Sequence, residues 1–246
     1  MTSDRTGPKI AVLVPFTNCN LEPDMVSLCP LGCTMHFARM GGYDVDEIPG
    51  SDQMAGLGAS DISETLRLLS GVRPSVVLYG CTSATLTHGT DFDRDLAAKI
   101  RGPNANTLSL TAAGSLGAGI RTLGATKVGF ASPYLGEVND QAISFLAEEG
   151  VTVVRCADIG RPLGNYGQGE LTPDEVYELA LLADHPDAQA IVLSCTDMRS
   201  VEAIERIEAA LGKPVVTSNQ AMIFALMKAL ELPRHANLPG RLFSYL

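Results

Sequence analysis

Short apolar runs rich in β-branched residues alternate with longer amphipathic segments along this chain of 246 residues. Uninterrupted apolar runs of this kind are typical of strands that are buried on both faces of a parallel sheet. The segments between them have helical spacing, and several open on Ser, Thr or Asp with an acidic residue in the first turn. This alternation predicts an α/β protein with helices covering its sheets. The predicted strands lie at 9–16, 75–80, 107–110, 127–134, 151–156, 190–195 and 213–218.

The strand pattern of the first half returns, in the same order, in the second half. The run at 9–16 resembles that at 127–134, a shift of 118 residues. The run at 76–83 resembles that at 191–197, a shift of 114 residues when the cysteines are aligned. A third pair, "NTLSLTAA" and "PVVTSNQA", follows at a shift of about 108 residues. The repeated order indicates an internal duplication of one structural unit.

This repeat predicts two pseudo-symmetric lobes, each a parallel sheet flanked by helices. The first lobe is expected to span 1–107, completed by the C-terminal helix 216–246, and the second to span 108–215. Ligands of open parallel sheets bind beyond the carboxyl ends of the strands. We therefore expect the functional site in the cleft between the lobes.

Charge and hydropathy restrict the partners of this protein. A net charge of −10 argues against nucleic acid, whose phosphates need basic patches. No apolar run approaches the roughly 20 residues that a membrane span needs. The first apolar run, 9–16, resembles a strand more than the core of a signal peptide. We expect a cytoplasmic protein with neither a membrane nor a nucleic-acid partner.

Six cysteines are many for that compartment, where disulfides are rare. They form no CxxC pair, and the four histidines have no metal-ligand spacing, so we expect no metal site. Cys29 and Cys33, in "CPLGC", have no function that the sequence explains.

Two of the cysteines stand in matching contexts at predicted strand ends. Cys81 begins "CTS" after one apolar run, and Cys195 begins "CTD" after another. Asn18 follows the first predicted strand, and Tyr134 is the last residue of the predicted strand at 127–134. If the lobes face each other, these side chains lie on opposite sides of one cleft.

Two facing thiols and a set of hydroxyl and backbone N–H donors suit a small carboxylate substrate. The two thiols could move a proton between the faces of a carbon acid, which is racemisation. Alternatively, one thiolate could add to an activated alkene while the other thiol moves a proton. A third reading is a binding protein that keeps the cleft without catalysis.

Several motifs carry a resemblance to a known family over nearly the whole chain. They are "PFTNCNLEPD", "GCTS", "SPY" and "SCTD", together with "TMHFARM" at 34–40, which is similar to the family's second strand. With these motifs the sequence resembles the aspartate/glutamate racemase superfamily, and within it the branch of maleate cis-trans isomerase and arylmalonate decarboxylase. "PFTNCN" departs from the branch in having Phe16 and Asn20 where smaller or apolar residues are usual, which affects the choice of substrate.

The resemblance implies roles for eight residues. Cys81 would be the nucleophile and Cys195 the residue that handles the proton on the other side. The implied substrate-binding residues are Asn18, Thr82, Ser83, Tyr134, Asn165 and Thr196. The resemblance also implies that no metal or organic cofactor is needed and that the chain forms a homodimer or homotetramer.

The sequence therefore predicts a cofactor-independent cis-trans isomerase of a small dicarboxylate, with maleate to fumarate as the best single reaction. A two-cysteine racemase of an amino acid or hydantoin is the alternative. A decarboxylase of a malonate-type acid is less favoured. The resemblance implies that arylmalonate decarboxylase has a glycine where this chain has Cys81.

Overall fold

Two four-stranded parallel sheets form the centre of the molecule. The computed structural model describes residues 6–44, 46–101 and 106–246. The strands are β1 (Lys9–Pro15), β2 (Thr34–Met40), β3 (Val76–Tyr79), β4 (Leu108–Thr111), β5 (Lys127–Ala131), β6 (Thr152–Ala157), β7 (Ala190–Leu193) and β8 (Val215–Thr217).

The two sheets repeat one topology. The first has the strand order β2-β1-β3-β4 and the second has the order β6-β5-β7-β8, so each strand of one sheet has a counterpart in the other. All neighbouring strands within each sheet are parallel. The predicted fold, an α/β protein of two pseudo-symmetric lobes, is confirmed.

Helices cover the faces of both sheets. They are α1 (Leu21–Ser27), α2 (Ser51–Ala59), α3 (Ser63–Ser70), α4 (Ser83–Leu86), α5 (Gly89–Arg101), α6 (Ala112–Thr122), α7 (Gly136–Glu148), α8 (Gly164–Glu170), α9 (Pro173–Leu182), α10 (Ile204–Leu211) and α11 (Ser218–Ala229). Short 3₁₀ helices cover Val201–Ala203 and Arg241–Tyr245. Among the described residues, none of the helices combines the length and the apolar character that crossing a bilayer requires.

Local sequence signals explain several helix ends. Thr172 caps α9 by accepting a hydrogen bond from the Glu175 N–H, and the Glu175 carboxylate accepts from the Thr172 N–H in return. α10 ends at Gly212, whose φ of 68° is in the left-handed region that glycine adopts without strain. The segment 59–72 has helical spacing in the sequence but is not one helix in the structure. It contains the end of α2, a break and then α3. The break follows from the extended backbone of Ser60, with φ −61° and ψ 152°.

The boundary between the lobes differs from the sequence expectation at one strand. The spacing predicts that the second lobe starts at residue 108, but β4 (Leu108–Thr111) pairs with β3 and completes the first sheet. Spacing along the chain cannot tell which sheet a short strand will join, because strand pairing depends on contacts between residues distant in sequence. The wider assignment of 1–107 with 216–246 to one lobe, and of the rest to the other, stays a prediction.

The interior is one continuous apolar core across both lobes, with a smaller cluster on the outer side of the first sheet. α6 and α11 follow β4 and β8, the equivalent last strands of the two sheets, and pack on each other. Both begin at a capping threonine, Thr111 and Thr217 respectively. This packing fixes the two sheets so that the carboxyl ends of their strands approach one another.

Candidate active site

A single pocket between the lobes collects the eight residues singled out in the sequence. Its walls come from loops at the carboxyl ends of β1, β3, β5 and β7, with further residues from α2 and α8. The eight residues are Asn18, Cys81, Thr82, Ser83, Tyr134, Asn165, Cys195 and Thr196. The roles that the resemblance implies for them stay predictions, but their convergence is a feature of the fold.

Cys81 lies directly beyond β3, at the start of α4. Its side chain is 6% exposed, and its sulfur is 3.7 Å from the Ser83 hydroxyl oxygen. Burial raises the pKa of the Cys81 thiol, while hydrogen bonds from the Ala84 N–H and from Ser83 oppose the shift. These donors at the first turn of α4 would stabilise a thiolate once the proton leaves.

Cys195 lies at the equivalent place beyond β7. Its thiol donates a hydrogen bond to Gln168 Oε1 at 3.4 Å, and the Asp197 N–H is 3.4 Å from its sulfur. Burial and then the nearby Asp197 carboxylate raise the pKa of the Cys195 thiol to about 12, against the opposing effect of the Asp197 and Met198 N–H groups. Cys195 is therefore a thiol at neutral pH and is suited to donate a proton.

Asn18 and Thr196 join the two lobes across the pocket. Asn18 Nδ2 donates to Thr196 Oγ1 at 3.0 Å, and Thr196 Oγ1 donates to the Gly80 carbonyl at 2.9 Å. The Asn18 carboxamide oxygen accepts from the N–H groups of Asn20 (3.1 Å) and Leu21 (2.8 Å). Asn18 thus holds the first turn of α1 as well as the second lobe.

The other sequence-predicted residues lie around these. Thr82 Oγ1 donates to Ser218 Oγ at 2.8 Å, which is another link between the halves of the chain. The Tyr134 hydroxyl accepts from Ser194 Oγ at 3.4 Å, and burial raises its pKa well above the ordinary value. Asn165 Nδ2 donates to the Glu47 carbonyl at 2.7 Å. These bonds hold the polar groups in place around the cavity.

Asp197 was not among the residues proposed from the sequence, although it stands in the "SCTD" motif. Its Oδ1 accepts from the N–H groups of Cys19 (2.8 Å) and Asn20 (3.0 Å), so it binds the loop that precedes α1. Burial raises the pKa of Asp197, while these donors oppose the shift. Its position, two residues after a strand-end cysteine, was the signal that could have identified it.

Further residues of the pocket wall come from segments without a motif. Gln168 lies on α8, Met54 and Leu57 lie on α2, and Tyr43 follows β2. The rings of Tyr43 and Phe16 pack edge to face with centroids 5.3 Å apart. The lining thus includes apolar side chains, among them Phe16, Met54 and Leu57, beside the polar donors.

The described residues that line the pocket supply neutral rather than cationic hydrogen-bond donors. Among the described residues that line it there is no Lys or Arg, so a carboxylate would bind to hydroxyl, amide and backbone N–H donors. In the same described ranges, no group of three His, Cys, Asp or Glu side chains is placed to hold a metal ion.

A model of the arylmalonate decarboxylase family matches residues 13–243. The chain belongs to this family. The resemblance noted in the sequence is thereby confirmed, and the two pocket cysteines can be considered within a family that contains both decarboxylases and isomerases.

The relatives of this chain that have curated names carry one of two activities in those names. A maleate isomerase of Geobacillus stearothermophilus is 26% identical over 96% of this chain and 97% of its own length. An arylmalonate decarboxylase of Bordetella bronchiseptica is 28% identical over 87% of this chain and 84% of its own. Among solved structures, a maleate isomerase variant from Pseudomonas putida S16 with maleate has a TM-score of 0.86 at 26% identity, covering 96% of this chain and 97% of that one.

Proposed function

We propose that this family member is a cis-trans isomerase of a small dicarboxylate, converting maleate to fumarate by covalent addition of Cys81. The observation that supports this most is the pair of buried thiols, Cys81 and Cys195, at equivalent strand ends of one pocket. The relatives named maleate isomerase, which extend over nearly the whole chain, support the same reaction.

The proposed first step forms a covalent bond. The Cys81 thiol gives its proton to water, its thiolate sulfur bonds to C2 of maleate, and the electron pair of the double bond moves to C3. The carboxylate on C3 spreads the resulting negative charge. Cys195 either protonates C3 transiently or stabilises the charge there; where it protonates C3, the proton released by Cys81 restores the Cys195 thiol.

Once C2–C3 is a single bond, the two carboxylate-bearing carbons rotate about it. The electron pair at C3, freed where necessary by return of the proton, then reforms the double bond as the C2–S bond breaks. The trans product is released, Cys81 recovers its proton, and atoms and charges are unchanged overall. Asn18, Tyr134, Asn165 and the donors at Thr82, Ser83 and Thr196 are proposed to hold the carboxylates during this sequence.

Proton NMR in D₂O with maleate tests this proposal directly. A growing fumarate signal is the expected result, and deuterium in the vinyl position would show that C3 is protonated during turnover. L-Aspartate and L-glutamate belong in parallel tubes. Deuterium entering their α-positions without any fumarate would replace the isomerase with the two-cysteine racemase.

The decarboxylase alternative has a separate readout. Phenylmalonate, incubated under the same conditions, would release carbon dioxide if the protein acted as a decarboxylase. We expect no release, because arylmalonate decarboxylase has a glycine at the position that Cys81 occupies in this chain. The further expectations of a cytoplasmic, cofactor-independent homodimer or homotetramer stay predictions, and sedimentation analysis would test the last of them.

A further inference from the structure

We propose that Asn219 and Asp24 are positioning residues that orient the peptide unit between Thr196 and Asp197, so that its N–H group points at the sulfur of Cys195. Neither residue lines the pocket. The part of this proposal that concerns turnover depends on the proposed function, whereas the part that concerns the reactivity of Cys195 does not.

Asn219 lies at the start of α11 and is fully buried. Its Nδ2 donates to the Thr196 carbonyl oxygen at 3.0 Å and to Asp24 Oδ2 at 2.7 Å. A carbonyl oxygen can only accept, so the nitrogen of the amide must face Thr196. This fixes which way the Asn219 side chain is turned.

The carboxamide oxygen of Asn219 indicates what this side chain contributes. Within the described ranges, Asn219 Oδ1 is buried and has no hydrogen-bond partner. A buried unsatisfied oxygen lowers stability, and an apolar side chain at this position would avoid that cost. The side chain is therefore better explained by its two donated bonds than by packing.

Geometry transmits the Asn219 contact to the cysteine. In a trans peptide the C=O and N–H bonds lie in one plane and point in opposite directions. The Thr196 carbonyl points at Asn219, and the N–H of the same peptide, that of Asp197, lies 3.4 Å from Cys195 Sγ. Anchoring the carbonyl therefore also aims the donor that stabilises negative charge on the sulfur.

Asp24 anchors Asn219 from the first lobe. It lies on α1, and its Oδ2 is the second acceptor of Asn219 Nδ2. With acceptors on two sides, the amide cannot swing away from Thr196 without also losing its bond to the Asp24 carboxyl group. The loop that carries Cys195 is thus held from α1 through α11.

The internal repeat shows that this brace belongs to one cysteine only. α6 and α11 both begin at a capping threonine, so Ala113, two residues after Thr111, is the counterpart of Asn219, two residues after Thr217. Alanine has no amide to donate. The brace is therefore part of what makes Cys195 differ from Cys81.

The test compares Asn219→Ala with Gln220→Ala. Gln220 is the next residue of α11, equally buried, and it binds the Pro239 carbonyl and the N–H of Thr217 rather than the Cys195 loop. The rate of iodoacetamide labelling at Cys195, followed by peptide mass spectrometry at one alkaline pH, reports the thiolate fraction. The charged and titratable groups around this thiol are the same in both variants; they are Asp197, Cys81 and the hydroxyl groups of Tyr134 and Tyr43.

We expect Asn219→Ala to slow labelling of Cys195 about 3- to 10-fold, since one pKa unit is a tenfold change in thiolate. In the maleate assay we expect kcat to fall about tenfold with KM changed less than about twofold. Gln220→Ala should lower the melting temperature and leave both quantities unchanged. An unchanged labelling rate in folded Asn219→Ala, or an equal slowing in Gln220→Ala, would overturn the proposal.

Asp24→Ala gives a second test from the other end of the brace, on a helix at the surface. We expect labelling of Cys195 to slow about 2- to 3-fold, because Asn219 loses one of its two anchors. If Asn219→Ala does not fold, an unchanged labelling rate in Asp24→Ala would by itself overturn the proposal. Failure of the wild type to isomerise maleate would count against the proposed function and leave the labelling comparison intact.

Discussion

Each pocket cysteine is followed by a threonine and then by a residue that differs between the lobes. Ser83 stands two residues after Cys81, and Asp197 stands two residues after Cys195. The serine offers a hydroxyl to its cysteine, whereas the aspartate adds a negative charge that raises the pKa of the Cys195 thiol and, as a smaller contribution, that of Cys81. This one difference supports assigning nucleophilic attack to Cys81 and proton transfer to Cys195.

Replacing Cys81 with serine should abolish isomerisation, with kcat lowered by at least about 10³-fold, because a hydroxyl is a far weaker nucleophile at neutral pH. Initial rates of fumarate formation measure the effect. Cys156→Ser, at an exposed cysteine outside the pocket, is the matched control and should retain wild-type rates. Wild-type turnover by Cys81→Ser would contradict the mechanism.

Asn18→Ala should affect both stability and turnover. The change removes an acceptor for two N–H groups at the start of α1, worth about 1 kcal/mol, and the donor to Thr196. We expect kcat/KM to fall at least about tenfold, about 1.4 kcal/mol in transition-state binding. Asn18→Asp keeps the acceptor and loses the donor, so urea unfolding should show recovered stability without recovered activity. Unchanged kcat and KM in Asn18→Ala would remove Asn18 from the site.

At the scale of elements, the pocket depends on how closely α2 and α4 pack. α4 begins at Ser83 and supplies the N–H donors that face Cys81, while α2 contributes Met54 to the pocket wall. A Cβ added at Gly58 of α2 would lie 2.3 Å from the Ala84 carbonyl oxygen, so the absence of a side chain there sets the distance between the two helices.

Gly58→Ala should force α2 and α4 apart, because the obstructing atom belongs to the backbone. We expect a loss of about 1–3 kcal/mol in the free energy of unfolding and a lower kcat. Gly56→Ala, in the same helix, is the control: its added Cβ meets no atom within 4 Å, so a gain of roughly 0.5–1 kcal/mol is expected. Urea titrations and steady-state kinetics on both variants give the comparison. Equal behaviour of the two variants would show that the helix spacing has no effect on the site.

At the scale of the whole molecule, several acidic side chains are buried where the lobes and their helices meet. Burial raises the pKa of Asp24 to about 7, and it also raises the pKa values of Asp93 and Asp197. The groups that face Asp24 include Glu202, Arg199 and Asp197. A raised carboxyl pKa favours the folded state at low pH, and this contribution is lost as the pH rises through the folded value.

The contribution of Asp24 to the free energy of unfolding should therefore fall as the pH rises from about 4 to about 7. For a shift of about three pKa units, the fall is on the order of 2–4 kcal/mol. Asp24→Asn removes this titration, so its stability should fall less than that of the wild type between pH 5 and pH 8. Urea unfolding at both pH values measures the difference. Asp95→Asn, on the exposed side of α5, is the control and should follow the wild-type dependence. A parallel dependence in Asp24→Asn would contradict the assignment.

Among the described residues, the apolar pattern predicted seven of the eight strands and the strand-end residues because both signals are local, whereas β2 (Thr34–Met40) was indicated only by the family resemblance. Cys81 and Cys195 can be recognised because each follows an apolar run, and the parallel topology places such positions together. Tyr43, Gln168 and Met54 could not be predicted, since they reach the pocket from loops and helices whose docking depends on packing of the whole chain. The same reason explains β4, whose choice of sheet is decided by long-range contacts rather than by its own residues.

The difference between Ser83 and Asp197 has a stereochemical consequence. A planar alkene held in one orientation between the two sulfur atoms presents one carbon and one face to the nucleophile, and the opposite face to the acid. Addition by Cys81 alone would create a stereogenic carbon of a single configuration. Hydrolysis of a trapped adduct to its free thioether amino acid should therefore yield one diastereomer if the pocket binds maleate in a single orientation, and two if it does not.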